Sequence, residues 1–208
     1  MTNTGVSNDT SLAIWASPLG RIRLLVSDLG LVRLDFVDDN SVADADGPDH
    51  PVLRETIRQL DAYFAGQRAT FEIPLDLRGT PFQNACWLAL TDIPCGETIT
   101  YRELAARVGR PTAIRAVGTA NGANPISVIV PCHRVIGTDG TLRGYGGGLE
   151  RKERLLALER YVTRPSEREM PRWLEDYLDN AEADAALQKA ERLGFVSLEV
   201  IQAREEIR

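Results

Sequence analysis

Cysteine and histidine are scarce in this chain: there are three Cys (Cys86, Cys95, Cys132) and two His (His50, His133) among 208 residues. With no Cys-x-x-Cys and no paired His spacing, a tetrahedral zinc site has poor material, and no metal or other cofactor is expected. An odd cysteine count without a disulfide-like spacing fits a reducing compartment. Long apolar runs, a signal-peptide pattern and lipidation motifs are missing as well. The expectation is a soluble, cytoplasmic, monomeric protein with no membrane partner.

Basic charge is also short, since the net charge is -6, which at first argues against nucleic acid. The average hides a gradient. Residues 1–79 carry 7 basic and 12 acidic side chains, a balance of -5; residues 80–160 carry 10 and 7, a balance of +3; residues 161–208 carry 7 and 11, a balance of -4. The basic excess sits in the middle segment alone, which allows a local, salt-sensitive DNA-binding face there. An apolar content of 43% is enough to bury a core in one or two domains.

The N-terminal part reads as β followed by helix. Leu12 to Ser17, Arg21 to Ser27 and Leu31 to Val37 are short apolar runs separated by Pro18-Leu19-Gly20 and Asp28-Leu29-Gly30 turns. The acidic stretch 38–49 reads as a surface loop, and Val52 to Ala65 has apolar residues at helical spacing. In the middle segment Thr80-Pro81 opens a helix to about Leu90, and the capping box Thr100-x-x-Glu103 opens another that Gly109 and Pro111 end. A third helix from near Thr112 to about Gly122 completes helix-turn-helix proportions. Helices over 171–193 and 197–206 are expected in the acidic remainder.

Chemistry concentrates between Asn124 and Val135. Ile126 to Val130 has the content of a buried strand, and Pro131 ends ladder pairing, so Cys132 is expected where the chain leaves the sheet, displayed rather than packed. A thiol of ordinary pKa, about 8.5, is only a few per cent ionised at neutral pH, so a nucleophilic Cys needs a base or cation nearby. His133 and Arg134 are the local candidates, and a buried, unreactive Cys132 is the alternative. On a helix from about Leu149 to Tyr161, Glu159 lies at i+4 from Leu155 and i+3 from Leu156, on the apolar face, where a carboxylate needs a partner. Either an Arg or His133 could serve. The third helix has small residues, including Ala116 and Gly118, and one long basic side chain, Arg115. It fits either a tightly packed interior helix or a backbone laid close to a narrow groove.

The run from Thr80 to Glu159 resembles the active-site domain of the O6-alkylguanine-DNA alkyltransferases, also called methylated-DNA-protein-cysteine methyltransferases. The residues that carry the resemblance are Pro81-Phe82-Gln83 with Trp87, Ile93-Pro94-Cys95-Gly96-Glu97, Tyr101-Arg102-Glu103-Leu104-Ala105, Arg115-Ala116-Val117-Gly118, Asn124-Pro125, Pro131 to Val135, and Gly144 to Leu149 with Arg151-Lys152. Ser17 to Gly20 and Tyr63 to Gly66 extend it more loosely toward the N-terminus. The resemblance implies an α+β chain: residues 1–79 a small ribonuclease H-like sheet-and-helix domain and 80–161 a helical DNA-binding and alkyl-acceptor domain with a helix-turn-helix and an active-site cysteine turn; residues 162–208, which the resemblance does not reach, read as an acidic helical extension of unknown role.

It implies a function too. The alkyl group of O6-alkylguanine in double-stranded DNA, with O4-alkylthymine a second candidate, would pass to Cys132 once per molecule, after minor-groove binding and nucleotide flipping. Arg115, Ala116 and Gly118 would lie on the groove-entering helix, with Arg115 taking the place of the flipped base. Glu159 would orient His133, which draws the Cys132 proton through a water, while Tyr101 protonates guanine N3 and Asn124 ties that helix to the cysteine turn. Backbone at Tyr145 and Gly146 would close the pocket, and the carbonyls of Cys132 and Val135 would accept from the exocyclic amine. Two rivals remain: a lesion sensor that binds without chemistry, and a Cys-His hydrolase, for which adjacent Cys and His on an extended chain point apart.

Overall fold

Strict alternation of apolar residues builds the first layer. The computed structural model describes residues 10–37, 50–164 and 169–181. The acidic stretch 38–49, residues 182–193 of the first expected tail helix and all of the second lie outside them. Strands β1 (Ser11–Ser17), β2 (Gly20–Ser27) and β3 (Gly30–Phe36) form an antiparallel sheet in the order β1-β2-β3. In β2 every second side chain, Ile22, Leu24 and Val26, is buried, as a sheet with one covered face requires. Ser17 pairs with Gly20 and Ser27 with Gly30 across two-residue connections. Each serine hydroxyl tightens its turn by accepting from the N–H two residues on, Leu19 and Leu29, at 3.2 Å in both cases.

Helix α1 (Pro51–Phe64) covers the sheet. Pro51 suits the first helical position, and the His50 imidazole caps the helix by accepting from the Val52 N–H. Its buried face holds Leu53, Leu60, Tyr63 and Phe64, with the Phe64 ring 5.9 Å from that of Trp15.

The free edge of β3 binds the sheet to everything downstream. Leu31 and Leu34 make isolated parallel bridges with Leu75 and Ile126. Through the second of these the Leu34 N–H donates to Pro125 O (2.9 Å) and the Ser127 N–H to Leu34 O (2.8 Å). The expected strand over Ile126 to Val130 is therefore a single bridge at Ile126 followed by turns. The residues are buried as their composition demands, yet a positive φ of 69° at Val128 bends the chain away before a ladder can extend.

Downstream the elements are helical. Helix α2 (Pro81–Thr91) begins with a reciprocal capping box between Thr80 and Gln83. Strand β4 (Ile99–Thr100) leads into α3 (Tyr101–Arg107), which carries the Thr100/Glu103 capping box. Helix α3 closes with the Arg110 N–H on Ala105 O and the Gly109 N–H on Ala106 O, the paired bonds of a Schellman end. Helix α4 (Ile114–Gly122) starts two residues later than the sequence suggests, because a turn closed by the Ala113 N–H on Arg110 O uses up Pro111 and Thr112. The Trp87 indole donates to Ala120 O at 2.8 Å, fastening α2 to α4. A 3-10 turn, Cys132–Arg134, precedes β5 (Val135–Ile136), whose short parallel pairing with β4 was not foreseen. Helix α5 (Leu149–Thr163) ends this unit, Met1–Glu169; in the second unit, Met170–Arg208, residues 172–181 are helical.

Gly30 tests the sheet edge. Its φ is 148° and an added Cβ would lie 2.3 Å from Pro74 O, in line with the hydrogen bond from the Leu31 N–H to that same oxygen. Gly30→Ala is expected to cost about 3 kcal/mol by combined strain and lost bonding, read as a lowered midpoint in urea unfolding.

Candidate active site

Cys132 stands at the end of a tightly wound passage. The Ile129 N–H bonds Ser127 O (2.8 Å) around Val128, the Val130 N–H bonds Ile126 O (3.0 Å), and the Cys132 N–H bonds Val130 O (2.8 Å) around Pro131. Positive φ at a β-branched residue is strained, and it persists only where surroundings over-determine it. Asn124 supplies the constraint: its Nδ2 donates to Val130 O at 2.7 Å and Ile126 O at 3.4 Å, and its Oδ1 accepts from the Ile126 N–H at 3.0 Å. Asn121, on the last turn of α4, reaches Cys132 O at 3.5 Å. This passage packs Cys132 instead of displaying it, for the thiol residue is only 3% exposed.

Behind the cysteine lies a buried carboxylate, Glu159 of α5. Its Oε1 takes the His133 Nε2 at 2.9 Å, the Tyr63 hydroxyl at 2.8 Å and the Arg134 Nη2 at 2.7 Å. Its Oε2 takes the Arg134 Nε at 2.9 Å and the Gly96 N–H at 3.1 Å. Gly96 is required there, because its φ is 79° and an added Cβ would stand 2.3 Å from Thr163 Oγ1. Burial would raise the Glu159 pKa; His133 and Arg134 override it and hold the carboxyl well below its usual range. An ionised carboxylate only accepts, so His133 carries its proton on Nε2 and leaves Nδ1 as the base. Nδ1 is buried and has no hydrogen-bond partner among the described residues. Burial also depresses the His133 pKa, with Glu159 pulling the other way and Arg134 and Lys152 adding to the fall.

The thiol's charged neighbour is not the one its sequence neighbours suggest. Arg134 is committed to Glu159 and to Ile93 O. The cation acting on the thiol is Lys152, fully buried, with Nζ on Val135 O at 2.6 Å and Arg143 O at 2.7 Å. Burial pushes the Cys132 pKa up to about 11, against the pull of Asn124, Lys152 and local backbone N–H groups. Burial in turn brings Lys152 down to about 8, opposed by Cys132. The resting thiol is protonated, and ionising it requires a base.

The remaining candidates surround this centre at different depths. Tyr101 is half-buried and donates to Arg143 O at 3.0 Å; burial and then the Cys132 charge raise its pKa, so it remains a phenol. Val135 is buried, with its carbonyl already accepting from Lys152. The Tyr145 ring stands edge-on to His133 with centroids 6.4 Å apart, and Gly146 is exposed beside it. On α4 the exposed positions are Arg115, Ala116, Thr119 and Gly122, while Val117, Ala120 and Asn121 face inward and Gly118 is intermediate, close to the Tyr101 ring. The outer face of this helix is thus smooth, with Arg115 its single long side chain. Among the described residues no cluster of three His, Cys, Asp or Glu could hold a metal ion.

Three participants have no role assigned by the sequence alone: Tyr63, Lys152 and Asn121. Lys152 lies three and four residues before Leu155 and Leu156, and Tyr63 three after Leu60, so both, like Glu159, are polar groups on an apolar helical face.

Two family models divide the described body between them. The 6-O-methylguanine DNA methyltransferase ribonuclease-like domain matches residues 12–77 and the 6-O-methylguanine DNA methyltransferase DNA binding domain matches residues 81–161. These define the class, a 6-O-methylguanine DNA methyltransferase with a ribonuclease-like segment joined to a DNA-binding segment that here carries the buried thiol. A methylated-DNA--protein-cysteine methyltransferase of Mycolicibacterium paratuberculosis is 51% identical over 146 residues, 69% of this chain and 88% of that protein. One of Methanosarcina barkeri is 49% identical over 146 residues, 69% of this chain and 92% of that protein. Among solved structures, Mycobacterium tuberculosis OGT in complex with DNA superposes with a TM-score of 0.66 at 47% identity, covering 73% of this chain and 93% of that one. The chain belongs to the O6-alkylguanine-DNA alkyltransferase family.

Removing the charge of Glu159 would strand Arg134 without its counter-ion. Glu159→Gln is expected to cost about 3–5 kcal/mol at neutral pH. Since the folded state depresses the Glu159 pKa below the ordinary value of about 4.5, that contribution is complete above this pH and is lost as pH falls toward the folded value. Urea unfolding of wild type and variant at pH 7 and pH 3 should show the gap narrowing in acid; a constant gap would contradict the assignment.

Proposed function

We propose that this protein repairs double-stranded DNA by moving the alkyl group of O6-alkylguanine, and as a second candidate that of O4-alkylthymine, onto Cys132 in a single irreversible turnover. The observation that carries the proposal is the chain of contacts from the Glu159 carboxylate to His133, whose unpartnered Nδ1 belongs to the residue next to a buried, protonated thiol. In the proposed sequence α4 enters the minor groove with its smooth face, small residues such as Ala116 and Gly118 admit the backbone, and Arg115 fills the gap left by the flipped nucleotide. Flipping is needed because the alkyl carbon of a stacked guanine is out of reach of an in-line thiol.

The chemistry is a displacement. His133 Nδ1 takes the thiol proton through a water, the sulfur forms a bond to the alkyl carbon, and the carbon–O6 bond breaks with its electron pair going to guanine. Tyr101 donates its phenolic proton to guanine N3, exchanging the Arg143 carbonyl for this acceptor, and regains a proton afterwards; the net transfer is from thiol to base. The carbonyls of Cys132 and Val135 accept from the exocyclic amine, Val135 through its second lone pair, and backbone at Tyr145 and Gly146 closes the pocket. The thioether is stable, so each molecule acts once.

Residues 1–79, 80–161 and 162–208 are assigned as the ribonuclease-like domain, the acceptor domain and an extension of unknown role, in a cytoplasmic monomer that needs no cofactor. No helix among the described residues is long and apolar enough to cross a membrane. The sensor reading has the opposite chemistry and is separated by one experiment. Intact mass after incubation with a duplex carrying one O6-methylguanine should rise by one CH2 in wild type, mapped to Cys132, and stay unchanged in Cys132→Ser. Lesion binding with no mass gain in wild type would support a sensor.

Arg115→Ala separates flipping from chemistry. Transfer from duplex should slow by on the order of tenfold or more, whereas transfer from a single-stranded oligonucleotide, where no gap has to be filled, should change little. Equal slowing on both would place Arg115 outside the flipping step.

A further inference from the structure

Tyr63 belongs to α1, in the segment matched by the ribonuclease-like model, yet its hydroxyl is part of the acceptor centre. The ring is held by Phe64 and Phe71, with centroids 5.3 and 5.2 Å away, and the residue is 1% exposed. Such packing would be complete with phenylalanine. The hydroxyl is the exception, and it spends its proton on Glu159 Oε1 at 2.8 Å, the same oxygen that receives His133 Nε2 at 2.9 Å.

We propose that Tyr63 is a positioning residue of the alkyl-acceptor centre: by donating to the oxygen that binds the His133 ring N–H, it sets how much carboxylate charge the imidazole feels and ties the N-terminal segment to the chemistry. Donors that share one carboxylate oxygen, here Tyr63, His133 and Arg134, divide its charge, so each weakens the pull on the others. Tyr63 is suited to the task because burial, together with the Glu159 charge, keeps the phenol protonated and therefore always a donor.

The groups that face this carboxylate come from every element packed around it. Tyr63 is contributed by α1, Cys95 and the Gly96 N–H by the loop after α2, His133 and Arg134 by the 3-10 turn; Lys152 of α5 acts on His133 from its own side. Tyr145, in the loop before α5, also feels the Glu159 charge. Of these, Arg134 opposes the negative charge most directly, and Tyr63 is the neutral donor whose removal leaves every formal charge in place. Without its hydroxyl more of the Oε1 charge is directed at His133, which becomes more basic and is already protonated, and so unable to take the thiol proton, at a higher pH.

The inference rests on the alkyl-transfer reading, and the test keeps the two apart. Single-turnover methyl transfer from an O6-methylguanine duplex is followed across pH for wild type, Tyr63→Phe, and protein with 2,3-difluorotyrosine placed at 63 alone, a stronger donor of nearly the same shape. The acid limb of the rate profile should move upward by on the order of half a pH unit in Tyr63→Phe and downward in the fluorinated protein, with plateau rates within about threefold of wild type. A lost hydroxyl that mattered only for packing would lower stability and rate without moving the limb. If Tyr63→Phe fails to fold, the fluorinated protein alone decides, and an unmoved limb overturns the proposal. No methyl transfer by wild type would instead refute the alkyl-transfer reading itself.

Discussion

A buried carboxylate must be compensated on every side, and the body of this protein is arranged so that Glu159 is. Its partners are Tyr63 from the sheet-covering helix, the Gly96 N–H from the connection between α2 and β4, and His133 with Arg134 from the cysteine turn. Three parts of the chain far apart in sequence are thus held to one point of α5. Ionic groups buried this way add little net stability compared with apolar packing, but losing one partner is costly, so the arrangement tolerates few alternatives. The contacts that orient the imidazole join the β3-edge bridges in holding the two halves of the unit together.

The same burial governs reactivity. With its pKa pushed up to about 11 by burial, the Cys132 thiol rests protonated at pH 7. A nucleophile that is consumed by its reaction gains from being inert at rest, because ambient electrophiles and oxidants attack thiolates. In the proposed mechanism the base, His133, is kept neutral by burial and aligned by Glu159, so it stands ready without ionising the thiol in advance. Lys152, its ammonium fixed by two carbonyls, supplies positive charge that favours the thiolate once it forms.

Positioning of the thiol relies on backbone as much as on side chains. Val128 adopts a φ of 69°, which a β-branched residue tolerates only under constraint. Asn124 holds one side of this passage through Ile126 and Val130, and the β3 edge holds the other through Leu34. The cysteine is therefore referenced both to helix α4 and to the sheet, a rigid mounting of the kind the proposed in-line attack needs.

What the sequence by itself determined are features governed by neighbours along the chain. Strand alternation in 11–36, the Thr80/Gln83 and Thr100/Glu103 caps, the helix-turn-helix proportions and the ordered motifs around Pro131-Cys132-His133-Arg134 all depend on spacings of two to four residues, which are visible in one dimension. The apolar stripe of α5 even announced that Glu159 needed a partner and offered an Arg or His133; the fold supplies both, since one carboxylate has lone pairs for each. Only the tertiary structure decided that the run Ile126 to Val130 is a buried turn instead of a strand, that Arg134 serves Glu159 while Lys152 is the cation acting on the thiol, and that Tyr63 reaches the centre from 96 residues away. The reason is common to all three. Composition shows that a group must be buried or paired, but which partner meets it is settled by the competition among all buried polar groups for a limited set of acceptors, and that competition takes place in three dimensions.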